Sequence, residues 1–277
     1  MTAIVLAASA ALVWGMSDFC GGKSSQRAHA LAVTVMSQII SLPVLGIGLL
    51  VIGGTPRPAD LGWGMLGGTI GLVGIVLLYR GLSLGAMSVV SPVTAVTAAV
   101  VPLAIGLVLD GGLGLLGFTG TICAVLAIAL ISVVPGNGHA RVTRGLVATA
   151  LIAGTMFGLF FVILGQAHPD SGLWLLVGVR LSSVPLGLLL AARTGTSLRL
   201  APRSLRWAAL AGALDLTANM FFLLATAHGH LSIVAVLASL YPTSTVLLAL
   251  AVDKERVRAV QVAGLGLAAT ALVLTAS

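Results

Sequence analysis

Apolar runs of about 20 residues, the length a helix needs to cross a bilayer, recur along this chain with only short polar breaks. Ten such runs can be placed: 3 to 22, 30 to 53, 61 to 80, 87 to 109, 113 to 134, 145 to 167, 171 to 192, 205 to 227, 231 to 252 and 257 to 275. The breaks between them are too short to hold a soluble domain. The pattern therefore predicts an all-α integral membrane protein of ten transmembrane helices. The first run begins at once after Met1-Thr2, lacks a basic leader and continues past Ala8-Ser9-Ala10, so it reads as an uncleaved span.

The longest polar break, Gly136 to Arg144, divides the runs into two sets of five, residues 1–135 and 145–277. The halves resemble each other in register. Trp14-Gly15 corresponds to Phe157-Gly158, Ser41-Leu42-Pro43 to Ser183-Val184-Pro185, Gly85 and Ser88 to Gly229 and Ser232, and Gly120 to Gly264, at an offset of 142 to 144. An odd number of spans per repeat turns the second copy upside down. The expectation is an inverted-repeat fold, an architecture that places a substrate site near the midplane between the repeats.

Composition agrees with a lipid solvent. Hydrophobic residues make up 58% of the chain and charged ones 8%, against roughly 25% charged in soluble domains. The net charge of +7 does not indicate nucleic acid, because the basic residues stand singly or in small groups between apolar runs. They do report topology. Lys23, Arg27, Arg80, Arg141, Arg144, Arg193, Arg199, Arg203, Arg206, Lys254, Arg256 and Arg258 fall on one side and Arg57 alone on the other, so the first side should be cytoplasmic, with both termini outside. Cys20 and Cys123 lie in separate apolar runs and read as small buried hydrophobes.

The second half resembles the EamA-type transporters of the drug/metabolite transporter superfamily. The likeness is clearest where Ser239-Leu240-Tyr241-Pro242 is followed by Thr245, Glu255-Arg256, Gln261 and Gly264, and Trp14-Gly15 in span 1 also fits. The resemblance implies two five-helix repeats and a carrier in the cell (inner) membrane, often an exporter of metabolites or drugs. Two features depart from the family pattern. The acid near the end of the fourth helix is Glu255 in the second repeat but Asp110, without a following basic residue, in the first; the arginine of the second helix is Arg180 in one copy and Gln38 in the other.

Ionisable groups within the spans need a reason, since a charged side chain at the bilayer centre costs roughly 2.5 to 3.5 kcal/mol on insertion scales. Asp215 lies in mid-span 8 with Asn219 one turn later on the same face, suited to lining a cavity or binding a proton. A structural carboxylate paired with another helix is the alternative. Arg180 in mid-span 7 would attract an anionic group or pair with Asp215, and Gln38 holds its counterpart position. Asp18 shares a face with Trp14 and Ser17 but lies toward Lys23, where snorkelling would also account for it. Trp14 would stack on substrate or serve as core.

Hydroxyls at helical spacing, Ser91, Thr94 and Thr97 in one half and Tyr241, Ser244 and Thr245 in the other, should face protein or water. Each would bond either a ligand or a neighbouring helix. Pro92, Pro102 and Pro242 free carbonyls in the same spans. The glycine pairs Gly64 with Gly68 and Gly67 with Gly71 read as packing surfaces, Arg80 as a snorkelling end residue and Glu255 as a helix N-terminal acid.

An enzyme reading has little to stand on. Gly81-Leu82-Ser83-Leu84-Gly85 matches G-x-S-x-G, but that motif works on a strand-turn-helix elbow, and the assigned topology puts Ser83 and His228 or His230 on opposite faces. Two imidazoles alone make an incomplete metal shell, and no Walker A motif supplies ATP binding, so no cofactor is expected. The expected function is secondary transport of a small-molecule solute across lipid, with a proton as one candidate coupling ion. Substrate, direction and homo-oligomerisation stay open. The other reading is a non-transporting membrane scaffold or accessory subunit.

Overall fold

The structure, a computed structural model, describes residues 1–83, 87–109, 115–131 and 143–241, with isolated helical positions at 244, 260, 263, 264, 266, 267, 270 and 274. Among the described residues there are nine α-helices: α1 (Thr2–Ser25), α2 (Ala30–Ile52), α3 (Pro58–Ser83), α4 (Met87–Leu109), α5 (Leu115–Ile131), α6 (Arg144–Leu164), α7 (Trp174–Arg193), α8 (Pro202–Thr226) and α9 (Leu231–Ala238). A short 3-10 turn, Pro169–Ser171, precedes α7. The expected tenth span and the end of the ninth lie largely outside the described residues, as do Asp110, Arg141, Glu255 and Thr245. Where spans can be compared, their ends shift by a few residues: α1 continues through Ser25, α3 and α8 start earlier at Pro58 and Pro202, α6 stops at Leu164 and α7 starts at Trp174.

Apolar sequence selects helix because lipid offers no hydrogen bonds, so each backbone group must be satisfied within its own segment. Six of the helices, α1, α2, α3, α6, α7 and α8, are long and apolar enough to cross a membrane. The outer surface fits that solvent: Leu50 is 87% exposed and Val51 79%, and Val5 and Ile47 are bare aliphatics as well. This is a membrane protein. Local signals set the ends. Pro202 opens α8, where its missing N–H costs nothing, Thr143 caps α6 by accepting from the Leu146 N–H at 3.2 Å, and Gly53 closes α2 at φ 71°.

The helices pack in matched pairs. α1 runs along α8 as α6 runs along α3; α3 crosses α7 as α8 crosses α2; α4 lies on α6 as α9 lies on α1. The remaining close pairs, α2 with α7 and α4 with α9, join counterparts to each other. Small residues allow the closest approaches. A Cβ on Gly64 would lie 2.9 Å from the Gly178 Cα, and one on Gly178 would lie 3.0 Å from the Gly64 Cα, so α3 and α7 touch backbone to backbone. On the other face of α3, Gly67 and Gly71 receive the ring of Phe160.

At one end of the bundle the α2–α3 loop and the α6–α7 loop are laced together. The Thr55 N–H donates to the Asp170 carbonyl at 2.9 Å, Trp174 Nε1 donates to the Gly54 carbonyl at 3.2 Å, and Arg57 pairs with the Asp170 carboxylate at 3.3 Å. The His168 N–H donates to the buried Asp60 carboxylate at 3.3 Å. Gly54 sits at φ +114°, and a Cβ there would come within 2.5 Å of the Ser171 carbonyl oxygen, so only glycine fits this crossing. At the opposite end Ser24 Oγ donates to the Ser204 carbonyl at 2.9 Å, tying α1 to the start of α8.

Candidate functional site

The packing of α1, α3, α6 and α8 leaves a cavity of about 40 Å³ inside the bundle. Trp14 and Asp18 enter it from α1, Asp215 from α8, and Tyr241 from the turn after α9. Ile75 of α3 and Phe157, Phe160 and Phe161 of α6 complete the wall. Spacing explains the convergence: Trp14 and Asp18 stand one turn apart, as do Phe157 and Phe161, so each pair presents one helix face. Three of the wall rings continue into a cluster with Phe222: Trp14 and Phe161 centroids are 5.1 Å apart, Phe160 and Phe161 6.3 Å, and Phe161 stacks on Phe222 at 4.9 Å.

Asp215 lies at least ten residues from either end of α8 and is held from α7. Arg180 Nη2 donates to Asp215 Oδ2 at 3.1 Å, while Arg180 Nε donates to Ser41 Oγ at 3.2 Å. The Ser41 hydroxyl donates in turn to the Gln38 backbone carbonyl at 2.7 Å, so the charge pair is anchored through α7 into α2. The side chain of Arg180 is 7% exposed and that of Asp215 is 21% exposed. Among the described residues, no hydrogen bond or ion pair reaches the carboxylate of Asp18. The two acids of the cavity are therefore unequal: one is neutralised by a guanidinium and one is not.

Of the residues singled out from sequence, Trp14, Asp18, Asp215 and Tyr241 line the cavity. Arg180 reaches it only through Asp215. Asn219 turns back along its own helix, its Nδ2 donating to the Asp215 carbonyl at 2.7 Å, and Gln38 is buried within α2 packing. Both keep a buried amide oxygen without a hydrogen bond among the described residues. Asp18 points into the cavity rather than toward Lys23, whose ammonium lies 5.2 Å above the Phe19 ring.

Three of the stripe hydroxyls, those of Thr94, Thr97 and Ser244, bond backbone. Thr94 donates to the Ala150 carbonyl across α4 and α6, Thr97 to Val93 in its own helix, and Ser244 to the Ala11 carbonyl. The side chain of Ser91 lies outside the described residues. Ser83 donates to the Arg80 carbonyl at 2.8 Å, at the end of α3 remote from His228 and His230, which follow α8 near the start of α1. Those residues do not form a hydrolytic site.

Ile75, Phe160 and Phe161 were not singled out as wall residues. A signal for one of them existed. The offset of 143 that maps Trp14 onto Phe157 also maps Asp18 onto Phe161, and all four line the cavity.

The model of the EamA-like transporter family matches residues 1–133 and again residues 145–277. A solved structure described only as the crystal structure of a protein superposes with a TM-score of 0.79 over 99% of this chain and 98% of that one. At 13% identity this shows a shared fold. No curated protein matches. With two matches that together span nearly all of its length, the chain belongs to the EamA-like transporter family.

Proposed function

We propose that the chain is a secondary transporter that moves small solutes by alternating access, with the cavity of Trp14, Asp18 and Asp215 as its central site. The observation that carries this reading is a pair of carboxylates, Asp18 and Asp215, in an otherwise apolar and aromatic cavity walled by helices from both halves of the chain. Buried acids are costly in a bilayer, and their use at such a place is to hold a proton or a cationic group. Because Asp215 is already engaged by Arg180, the exchangeable charge is assigned to Asp18, and Arg180 acts as a positioning residue for Asp215.

The architecture proposed is ten helices in two inverted five-helix repeats, 1–135 and 145–277. The matched packing supports it, because each pair such as α1 with α8 has its counterpart under exchange of the halves. The end that carries Lys23, Arg27, Arg80, Arg193 and Arg199 would face the cytoplasm of a cell membrane, with export as the direction.

Reconstitution in liposomes tests the reading. Pooled metabolites should show protein-dependent flux that follows an imposed pH gradient, and Asp18→Asn should abolish the gradient dependence while passive exchange persists. Flux that stays gradient-coupled in that variant would sink the role of Asp18, and absence of flux from every pool would count against transport itself.

A further inference from the structure

We infer that the central cavity takes a small organic monocation, an ammonium head with apolar substituents, using Asp18 as counter-charge and the rings of Trp14, Phe157 and Phe161 as walls. The inference rests on the transporter reading for its biological use, but the chemistry comes from the cavity. With both carboxyls ionised, Asp18 and Asp215 bring two negative charges and Arg180 returns one, so the site in that form is one positive charge short of neutrality. Among the described residues no lysine or arginine lines the cavity, so an anion would meet Asp18 with nothing there to offset it. A neutral solute would leave Asp18 either protonated or buried as an uncompensated charge, and so would draw no attraction from the carboxylate.

The walls favour the same class. Aromatic faces attract cations through their quadrupoles, and desolvated cages of such rings hold substituted ammonium groups whose methyls also profit from apolar contact. Phe161 stands where the repeat offset places the counterpart of Asp18, so one half of the site supplies charge and the other an aromatic ring. Size limits the ligand. A cavity of about 40 Å³ has room for on the order of three water-sized centres, which suits a head of a few heavy atoms and not a drug-sized body.

Binding to the full chain in lipid nanodiscs tests this apart from transport. Tritiated choline should bind saturably by scintillation proximity, and tetramethylammonium should displace it. The uncharged isostere 3,3-dimethylbutan-1-ol should compete about tenfold more weakly or worse, and Asp18→Asn should weaken choline by about tenfold or more. The isostere comparison uses the unaltered protein, so it stands even if the variant folds poorly. Lack of saturable choline binding, equal competition by the uncharged isostere, or full affinity in a folded Asp18→Asn protein would each overturn the inference. Flux of other solutes without choline binding removes this inference and leaves the transporter reading, whereas choline binding without flux does the reverse.

Discussion

The guanidinium of Arg180 and the carboxylate of Asp215 meet at 3.1 Å across α7 and α8, and this contact sorts the charges of the cavity into a fixed pair and a single acid, Asp18. The pair is also the mechanical link between the cavity wall and α2, because the other bonded nitrogen of Arg180 is tied to Ser41. Any movement of α7 relative to α8 must carry or break it.

Removing one partner leaves the other as an uncompensated charge. Asp215→Asn is expected to destabilise the protein by about 3 to 5 kcal/mol. A double change to Arg180→Leu with Asp215→Leu should cost less than the sum of its two single changes, which a double-mutant cycle of unfolding in detergent would measure. Strictly additive losses would show that the two side chains are not coupled.

Two serines at corresponding places in the repeats should behave oppositely. Ser41 accepts a charge-assisted bond from Arg180, so Ser41→Ala should cost about 2 kcal/mol. Ser183 is equally buried, but its hydroxyl has no hydrogen bond among the described residues, so Ser183→Ala should be neutral or stabilising. Midpoints of unfolding for the two variants decide the matter.

Glycines at close crossings should be intolerant and those facing lipid tolerant. Gly212 lies against the Ser37 carbonyl of α2, and Gly212→Ala should destabilise by about 1 to 3 kcal/mol through overpacking. Nothing lies within 4 Å of a Cβ at Gly46, so Gly46→Ala should raise stability by up to about 1 kcal/mol from helix propensity. Thermal unfolding of both, compared with the parent, gives the sign.

The laced loops at Thr55 and Asp170 should separate if access alternates at that end. Cysteines introduced as Thr55→Cys and Asp170→Cys are expected to cross-link under oxidation, stop flux, and release it on reduction. Undiminished flux in fully cross-linked protein would show that the loops stay together through the cycle. Arg57→Ala, which removes an exposed ion pair, should change stability by less than about 1 kcal/mol.

The apolar runs by themselves determined that this chain is helical and lives in lipid, because runs of that length and composition have no other satisfied conformation in a bilayer. Sequence also carried the family, whose model matches residues 1–133 and again 145–277. Asp18, Asp215 and Arg180 were visible as charges without an obvious solvent. What each charge faces was a matter for tertiary structure alone. Arg180 and Asp215 are separated by 35 residues, and only the crossing of α7 and α8 makes them a pair. Asp18, near enough in sequence to Lys23 to suggest snorkelling, instead faces the cavity because α1 turns that side toward α8 and α6. Phe160 and Phe161 are ordinary residues of an apolar span until packing places them opposite an acid. Periodicity fixes which residues share a face of one helix, but the neighbour that face meets depends on how glycines such as Gly64, Gly178 and Gly212 let distant helices approach.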